Sequence, residues 1–383
     1  MGNALIKMTG AEPLTESIQR TSEQDKYVEI KNSDAHSIDD DRKAKLLSKP
    51  VKHIDIKSFD ARPIIDAMAN MSFTSRALGR ATNIYNQMLA DKDCTIFLVI
   101  SGSTSAGGCM DLYAELVRKN MVDCIVATGA TIVDMDFFEA LGHKHYQALD
   151  IPDDDTLRSL YIDRIYDTYI DEDDLQKVDQ TIFSIAASLS PRAYSSREFI
   201  NEMGAYLLKH GKKSNSLVKL AHEHDVPIFC PAFTDSSAGF GLVKHQAASM
   251  NAGTPHLTLD SIADFRELTH LKIQAKTTGL LIIGGGAPKN FIQDTVVCAE
   301  LLGHENVPPH KYAVQITVAD VRDGACSSST LQEAASWGKV NSGMEQMVFA
   351  EAGVVMPLLA SDAYHRGLWR NRPVRRLSKM FDT

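Results

Sequence analysis

A short segment near the C-terminal end of the chain combines a carboxylate, a tryptophan and a lysine at spacings that suit an alkylammonium ligand. Thr330 and Glu333 can form a capping box at the start of a short helix, and Glu333 and Trp337 then share one helical face. Gly338 ends the helix, so Lys339 leaves that face and can project into a pocket. A desolvated lysine, or one crowded by another cation, is nucleophilic. From spacing alone, however, a solvated charge at the helix end is the more common role of such a lysine.

Three loops rich in small residues are candidates for close contact with a nucleotide. Residues 101–108 follow an apolar run and precede a helix, where small side chains and free N–H groups favour a phosphate. Residues 284–286 are three successive glycines, which weaken a strand and are better explained by the approach of a ligand. Residues 234–239 include Asp235, a candidate for ribose hydroxyls. The alternatives are a tight turn at residues 101–108 and a helix N-cap at Asp235.

The histidines do not predict a metal site. His143 and His145 form one pair, and His222 and His224 form another, yet neither pair has a third ligand at a recognisable spacing. The chain also contains no G-x-S-x-G elbow and no Walker loop. We therefore expect no metal.

The elements that position these loops alternate between strand and helix. Continuous apolar runs, typical of strands buried on both faces, occur at residues 95–100, 124–127, 226–232, 280–286, 312–317 and 346–350. Helical stretches separate them. This alternation predicts an α/β fold with a doubly wound, mostly parallel, Rossmann-like sheet and helices on both faces. Ligands gather at the carboxyl ends of the strands in such sheets, and the Gly, Ser, Thr and Asp clusters fall there.

The domain organisation is predicted from changes in composition along the chain. Residues 1–50 are polar and charge-mixed and are interpreted as a partly ordered N-terminal helical arm. Residues 51–383 are expected to form a single catalytic α/β domain. An acidic stretch around residues 150–180 is interpreted as a solvated helical insertion, the alternative being a charged ligand surface. The basic tail after Trp369 is interpreted as a solvated end or a partner contact.

Composition excludes some classes of function. Lys and Arg total 40 and Asp and Glu total 49, a net charge of −9 that argues against nucleic-acid binding. Six cysteines without C-x-x-C spacing indicate a reducing compartment. No apolar run of about 18 residues and no signal pattern is seen, so we expect a cytoplasmic protein without a membrane span.

Taken together, these motifs resemble the deoxyhypusine synthase family. The resemblance runs from about residue 52 to 359, and it is carried by the motifs EAASWGK (333–339), GGGAPK (284–289), PAFTD (231–235) and the loop at 101–107. It implies an NAD-dependent transferase that oxidises spermidine and holds the aminobutyl group as an imine on Lys339. It also implies a homotetramer with active sites at a subunit interface. The acceptor would be one lysine of the translation factor precursor that carries hypusine.

The resemblance also implies which residues bind each ligand. The implied NAD contacts are Ser101, Gly102, Ser103, Thr104, Ser105, Thr128, Gly129, Asp134, Asp235, Gly285, Val318, Ala319, Glu351 and Ala352. The implied polyamine contacts are Asn290, Asp323, Gly324, Ser327, Glu333 and Trp337, with Lys339 as the active lysine.

Several positions depart from the eukaryotic pattern of the family. Asn290 replaces a histidine, Phe240 an aspartate and Val133 an acid, and Ala325 with Cys326 replaces a Ser-Asp pair. These departures remove charges that would hold a polyamine, and they are similar to those of a prokaryotic branch. That branch implies an alternative, a homospermidine synthase with putrescine as acceptor. An inactive regulatory subunit is a third hypothesis, which the presence of Lys339 disfavours.

Overall fold

The computed structural model describes residues 36–382, with side chains from residue 39. The helices are α1 (His36–Leu46), α2 (Arg62–Ala69), α3 (Phe73–Ala90), α4 (Met110–Arg118), α5 (Phe138–Ala140), α6 (Asp154–Ser159), α7 (Glu172–Ser188), α8 (Ser196–His210), α9 (Leu217–Glu223), α10 (Ser237–Ala252), α11 (Ser261–Gln274), α12 (Gly286–Gln293), α13 (Thr295–Leu301), α14 (Leu331–Ser336) and α15 (Ala352–Arg366). The strands are β1 (Cys94–Ile100), β2 (Cys124–Ala127), β3 (Tyr146–Gln147), β4 (Ile162–Ile165), β5 (Thr168–Asp171), β6 (Ala193–Tyr194), β7 (Ile228–Phe229), β8 (Thr258–Leu259), β9 (Thr277–Ile283), β10 (Tyr312–Thr317) and β11 (Glu345–Phe349). Short π-helical segments occupy Ser105–Cys109 and Ala130–Phe137, and 3₁₀ turns occupy Cys326–Ser328, Leu368–Asn371 and Leu377–Phe381.

Six strands form the central sheet in the order β11-β10-β9-β1-β2-β7, and every pairing is parallel. The chain moves outward from β1 through β2 to β7 and then returns to place β9 on the other side of β1. The strand order therefore reverses between β1 and β9, which creates a crevice at their carboxyl ends. The predicted doubly wound parallel sheet is confirmed.

Alternate side chains of β1 enter two separate cores. Ile96 and Leu98 belong to the larger core, which includes residues of α3, α4 and α15. Phe97 and Val99 belong to the second core, which includes residues of α11, α12 and α14. Because both faces of β1 are fully buried, its sequence is a continuous apolar run rather than an alternating one. The helices on both faces confirm the predicted layers.

The region around 150–180 differs from the predicted helical insertion. It begins with the short helix α6, continues as the antiparallel hairpin β4–β5 and ends in the first half of α7. Strand β3 completes a small three-stranded sheet, order β3-β5-β4. Leu157, Ile162 and Tyr169 are buried in a small core of their own. The acidic residues thus cover the outside of a packed hairpin and helix.

The basic C-terminal tail is partly buried, which corrects the interpretation of the whole tail as a solvated end. Arg372 is only 6% exposed and contacts the Asp123 carboxylate at 2.5 Å. It also donates to the carbonyl oxygens of Asn120 and Cys94. Arg375 donates to the Cys94 carbonyl as well, so the tail is fixed at the amino ends of β1 and β2.

From Lys43 onward the chain forms one compact unit. The predicted arm at residues 1–50 lies mainly outside the described residues, which begin with α1. Within residues 36–382, no helix is both long enough and apolar enough to cross a membrane.

Candidate active site

The crevice between β1 and β9 is closed at its base by contacts between two loops. The Ser101 N–H donates to the Ile283 carbonyl at 2.9 Å, and the Ser101 hydroxyl donates to the Gly285 carbonyl at 2.5 Å. Gly284 has a φ of +81°, and a Cβ placed there would lie 2.8 Å from the Ser101 carbonyl oxygen. The two loops can therefore meet only because residue 284 is glycine.

The same loop contacts the segment that leads to Lys339. A Cβ on Gly285 would lie 2.6 Å from the Ser327 carbonyl oxygen, so this glycine allows residues 323–329 to pack directly against the β9 loop. From the sequence, the three glycines were predicted to allow the close approach of a ligand. The structure explains Gly284 and Gly285 by contacts within the protein, whereas Gly286 has a φ of +71° and open space around it.

All of the predicted cofactor contacts lie in the segments that follow the carboxyl ends of the six parallel strands. Ser101, Gly102, Ser103, Thr104 and Ser105 follow β1; Thr128, Gly129 and Asp134 follow β2; Asp235 follows β7; Gly285 follows β9; Val318 and Ala319 follow β10; Glu351 and Ala352 follow β11.

Three helix starts at this edge have no side-chain cap. They are the π-helical segments preceded by Thr104 and Gly129, and α12, preceded by Gly285. The Gly107 N–H donates to the Ser103 carbonyl at 3.1 Å and the Thr131 N–H to the Thr128 hydroxyl at 3.4 Å, so the other N–H groups of these first turns are the ones open to a ligand. Such groups, together with the helix dipole, suit phosphate oxygens. The residues present therefore fit a dinucleotide such as NAD.

Some predicted cofactor side chains already have partners within the protein. The Glu351 carboxylate caps α15 by accepting from the N–H groups of Gly353 at 2.7 Å and Val354 at 3.0 Å. The hydroxyls of Thr104 and Tyr113 are 2.8 Å apart. Thr104 and Glu351 therefore shape the edge through bonds to the protein, and most of the free donors there are backbone N–H groups.

Asp134 is the most perturbed carboxylate at this edge. Its pKa is raised to about 6, mainly by burial, with smaller contributions from the nearby carboxylates of Asp179 and Asp235 and an opposing effect of hydrogen bonds from Ser237. The Ser237 N–H donates to Asp134 Oδ1 at 2.8 Å, whereas Asp235 is exposed. A carboxylate held in this way can accept a hydrogen bond from a hydroxyl group of a ligand.

Helix α14 ends as the sequence predicts. The Thr330 hydroxyl accepts the Glu333 N–H at 3.0 Å, and the Glu333 carboxylate accepts the Thr330 N–H at 3.4 Å, which completes the capping box. Gly338 has a φ of +71°, and the Lys339 N–H donates to the Ala334 carbonyl at 3.0 Å. The chain thus reverses at Gly338 and Lys339 leaves the helix, as predicted.

The Lys339 ammonium lies between an aromatic ring and a carboxylate. Lys339 Nζ is 5.2 Å from the centroid of the Trp337 ring and 2.5 Å from Asp294 Oδ1. Trp337 is 68% exposed, so its ring can also serve a ligand. The carboxylate that contacts the Lys339 ammonium is therefore that of Asp294, whereas the Glu333 carboxylate caps helix α14.

Asp294 was not predicted from the sequence. It terminates α12, four residues after Asn290, which is a predicted polyamine contact. Residues four apart on a helix share one face, and this spacing could have identified Asp294.

A second lysine lies buried beside the first. Lys289 is fully buried, and its Nζ donates to the carbonyl and hydroxyl oxygens of Ser329, both at 2.5 Å. Burial lowers the pKa of Lys289, and the Lys339 charge lowers it further, whereas Cys326 and Glu333 raise it. Sequence reasoning included Lys289 in a motif but gave it no role.

One predicted polyamine contact, Asn290, lines a cavity of about 620 Å³. Asp294 and Cys326 line it as well, and the Asn290 amide donates to the Cys326 sulfur at 3.0 Å. Asp323 and Gly324 are exposed on the loop that holds Cys326 and, like Ser327, do not line the cavity. The cavity is next to Lys339, because Asp294 contacts the Lys339 ammonium.

A buried histidine fixes the backbone around Lys339, and sequence reasoning missed it. The His310 N–H donates to the Lys339 carbonyl at 2.9 Å, and His310 Nε2 lies 3.2 Å from the Ile292 carbonyl. Because a carbonyl only accepts, Nε2 carries the proton, and Nδ1 accepts from the Thr278 hydroxyl at 2.9 Å. Burial lowers the His310 pKa, and the Lys272 charge lowers it further.

Within residues 36–382 no group of three or more His, Cys, Asp or Glu side chains is arranged to hold a metal ion. His143 contacts Asp174 at 3.0 Å and His145 contacts Glu139 at 2.8 Å. These histidines belong to ion pairs within the protein.

Comparison with known proteins adds sequence relatives and a related fold. A sequence model of the deoxyhypusine synthase family matches residues 63–363. The chain is 68% identical to a deoxyhypusine synthase-like protein of Coxiella burnetii over 340 residues, which cover 88% of this chain and 96% of that protein. It is 62% identical to a protein of the same name from Caulobacter vibrioides, over 90% of this chain and 94% of that one. The crystal structure of a candidate deoxyhypusine synthase from Entamoeba histolytica has a TM-score of 0.55 at 22% identity, covering 82% of this chain and 97% of that chain.

Proposed function

Because the chain belongs to the deoxyhypusine synthase family, we propose that it is an NAD-dependent transferase that carries the aminobutyl group of spermidine on Lys339. The observation that carries the proposal is the position of the Lys339 amine. It lies between the Trp337 ring and the Asp294 carboxylate, beside a pocket open to solvent. A cationic amine entering that pocket meets the Asp294 carboxylate, which also contacts the Lys339 nucleophile.

The edge formed by the segments after the six strands would hold NAD. The helix starts after Thr104, Gly129 and Gly285 would bind its phosphates through backbone N–H groups. The carboxylates of Asp134 and Asp235 would accept hydrogen bonds from its ribose hydroxyls. When bound, NAD supplies hydride acceptance from the donor amine and hydride return to the product imine. The contact between Gly285 and Ser327 keeps this edge directly adjacent to the pocket.

The chemistry proposed for Lys339 is an exchange of imines. Its neutral Nζ adds to the carbon of the oxidised spermidine, which is doubly bonded to nitrogen. The bond from that carbon to the diaminopropane nitrogen then breaks, and the leaving amine takes up a proton. The aminobutyl group remains as an imine of Lys339 until an acceptor amine adds to the same carbon and displaces Nζ.

We propose as first acceptor a lysine of the hypusine-containing translation factor precursor, in keeping with the name of the family. A small diamine such as putrescine is the second candidate. Asn290 and Cys326, two positions at which the sequence departs from the eukaryotic pattern, line the pocket and support this candidate.

Transfer of label from spermidine tests the proposal. The protein is incubated with NAD and spermidine labelled in its butyl part, with either the translation factor precursor or putrescine present. Label on the translation factor precursor supports the first acceptor, and labelled homospermidine supports the second. Absence of diaminopropane release would overturn both.

Lys339→Ala is expected to abolish transfer with either acceptor, because the amine that forms the imine is gone. Its matched control is Lys276→Ala, which removes an exposed lysine whose partner is Asp93 and should leave turnover unchanged. Diaminopropane release by Lys339→Ala at the wild-type rate would contradict a covalent role for Lys339.

A further inference from the structure

We propose that Asp294 is the general base and acid of the imine exchange: it accepts a proton from the Lys339 ammonium and gives it to the departing amine. This inference rests on the function proposed above. Among the described residues, Asp294 is the acid that contacts Lys339 Nζ, at 2.5 Å. The position occupied by histidine elsewhere in the family is Asn290, whose amide does not titrate in the physiological range.

The proton balance of the step is complete with these two groups. The Lys339 ammonium loses one proton to the Asp294 carboxylate and becomes the amine that attacks. Nζ then forms a bond to the imine carbon of the substrate. As the bond between that carbon and the diaminopropane nitrogen breaks, the Asp294 carboxylic acid returns the proton to the leaving nitrogen. Asp294 ends the step as a carboxylate, ready for the acceptor amine.

The substrate can reach Asp294. Its side chain is 44% exposed and lines the 620 Å³ pocket, whereas the Lys339 side chain is 18% exposed. Phe265 and Phe291 line the same pocket with ring centroids 5.1 Å apart, and their apolar faces suit the methylene chain of a polyamine. An amine lying along these rings would bring its nitrogen to the carboxylate.

Electrostatic interactions position the pair. Asp294 attracts the Lys339 ammonium at 2.5 Å and holds Nζ in place before reaction. The buried Lys289 and the Lys339 ammonium repel each other, and burial together with this repulsion lowers the pKa of Lys289.

Among residues 39–382, four other titratable groups lie near the pair, and each already has another partner. Lys289 donates to Ser329 from α12, Glu333 caps α14, and Cys326 accepts from Asn290. Asp264 on α11 also lines the pocket, and burial raises its pKa to about 6. Its two oxygens, however, are held by the N–H and hydroxyl groups of Ser196 and by the Arg197 N–H.

The test uses Asp294→Asn, which keeps the shape of the side chain but cannot accept the proton. We expect the rate of diaminopropane release to fall by roughly 10²-fold, the usual contribution of a general base. The pH dependence of the release rate should differ between the wild type and the variant, because the variant has no carboxylate at this position. Asp294→Glu should recover part of the rate. Glu300→Gln, an exposed acid on α13, is the matched control and should match wild type.

Chemical rescue separates a proton-transfer role from a purely structural one. Asp294→Ala leaves a space at the carboxylate, and added formate should restore release in a concentration-dependent manner. A wild-type rate in Asp294→Asn, or a pH dependence identical to that of the wild type, would overturn the role of Asp294 alone. Failure of the wild-type protein to release diaminopropane would overturn the proposed function and this inference with it.

Discussion

The edge that would hold the cofactor and the site around Lys339 are built in opposite ways. At the cofactor edge, defined by residues 101–108, 128–134 and 284–286, the Cβ positions of Gly129, Gly284 and Gly285 are filled by neighbouring loops, and several side chains have protein partners. At the lysine site, defined by Asp294, Trp337 and Lys339, the functional groups are partly or largely exposed.

Because of this difference, we expect substitutions in the two regions to affect different properties of the protein. A change at the cofactor edge alters packed contacts or a buried charge, so the stability of the fold should change. A change at the lysine site removes groups that support little of the fold, so chemistry should suffer while stability stays near that of the wild type. Three substitutions, in order of decreasing effect on stability, test this contrast.

The largest effect is expected from Gly284→Ala. The new Cβ would lie 2.8 Å from the Ser101 carbonyl oxygen, and the residue would keep a φ of +81°. Strain at positive φ costs about 1–2 kcal/mol and overpacking about 1–3 kcal/mol, so the free energy of unfolding should fall by roughly 3 kcal/mol. Chemical denaturation of the ligand-free protein measures it.

Gly286→Ala is the matched control for that clash. Its φ is also positive, +71°, but no atom lies near the added Cβ. Its free energy of unfolding should fall only by the cost of the strain at positive φ, about 1–2 kcal/mol. Equal losses in the two variants would show that contact between the loops does not stabilise the cofactor edge.

Asp134→Asn is expected to have a smaller effect on the free energy of unfolding, and to raise it rather than lower it. Burial raises the pKa of Asp134 from 3.8 to about 6, so the folded state binds a proton more tightly than the unfolded state. The cost of the buried charge is absent below pH 3.8, grows as the pH rises to 6 and is constant above it. At about 1.4 kcal/mol per pKa unit the shift corresponds to about 3 kcal/mol, and the partial exposure of Asp134 reduces this value. The variant should therefore be more stable than wild type by about 2 kcal/mol at pH 8, and the two should be nearly equal in stability near pH 4.

Unfolding at several pH values in the absence of NAD measures this difference. Asp235→Asn, which removes the exposed carboxylate near Asp134, is the control and should change stability by less than about 0.5 kcal/mol. A stability difference between Asp134→Asn and wild type that does not change between pH 4 and 8 would contradict the assigned burial cost.

The features that the sequence predicts well are local. The capping box of Thr330 and Glu333 and the reversal at Gly338 need only neighbouring residues, and they place Lys339 correctly. The apolar run of β1 predicts a strand buried on both faces, and the small residues after it follow from the parallel order of the sheet.

The features that the sequence does not predict depend on distant partners. Arg372 is buried because Asp123, 249 residues earlier in the chain, lies beneath it. Asp294 lies against Lys339 only because α12 and α14 pack on one face of the sheet, in the same core. The hairpin at residues 162–171 has four-residue strands, too short for their alternation to stand out among acidic residues.

The smallest effect on stability is expected from Trp337→Ala, which tests the other side of the comparison. Trp337 is 68% exposed, so its loss should change the free energy of unfolding by less than about 0.5 kcal/mol. Its ring lies 5.2 Å from Lys339 Nζ, where it can attract a substrate ammonium as well. Loss of this attraction, worth about 1 kcal/mol or more, should raise the KM for spermidine by roughly 10-fold.

Trp337→Phe separates the aromatic face from side-chain bulk. Phenylalanine keeps an aromatic face for the cation, although a weaker one, so most of the wild-type KM should be retained. Trp337→Leu keeps apolar bulk without a ring and should behave like Trp337→Ala. Steady-state kinetics with spermidine, together with thermal unfolding of each variant, measure both quantities. A loss of stability as large as that of Gly284→Ala would mean that the exposed ring supports the fold, and the contrast between the two regions would then be wrong.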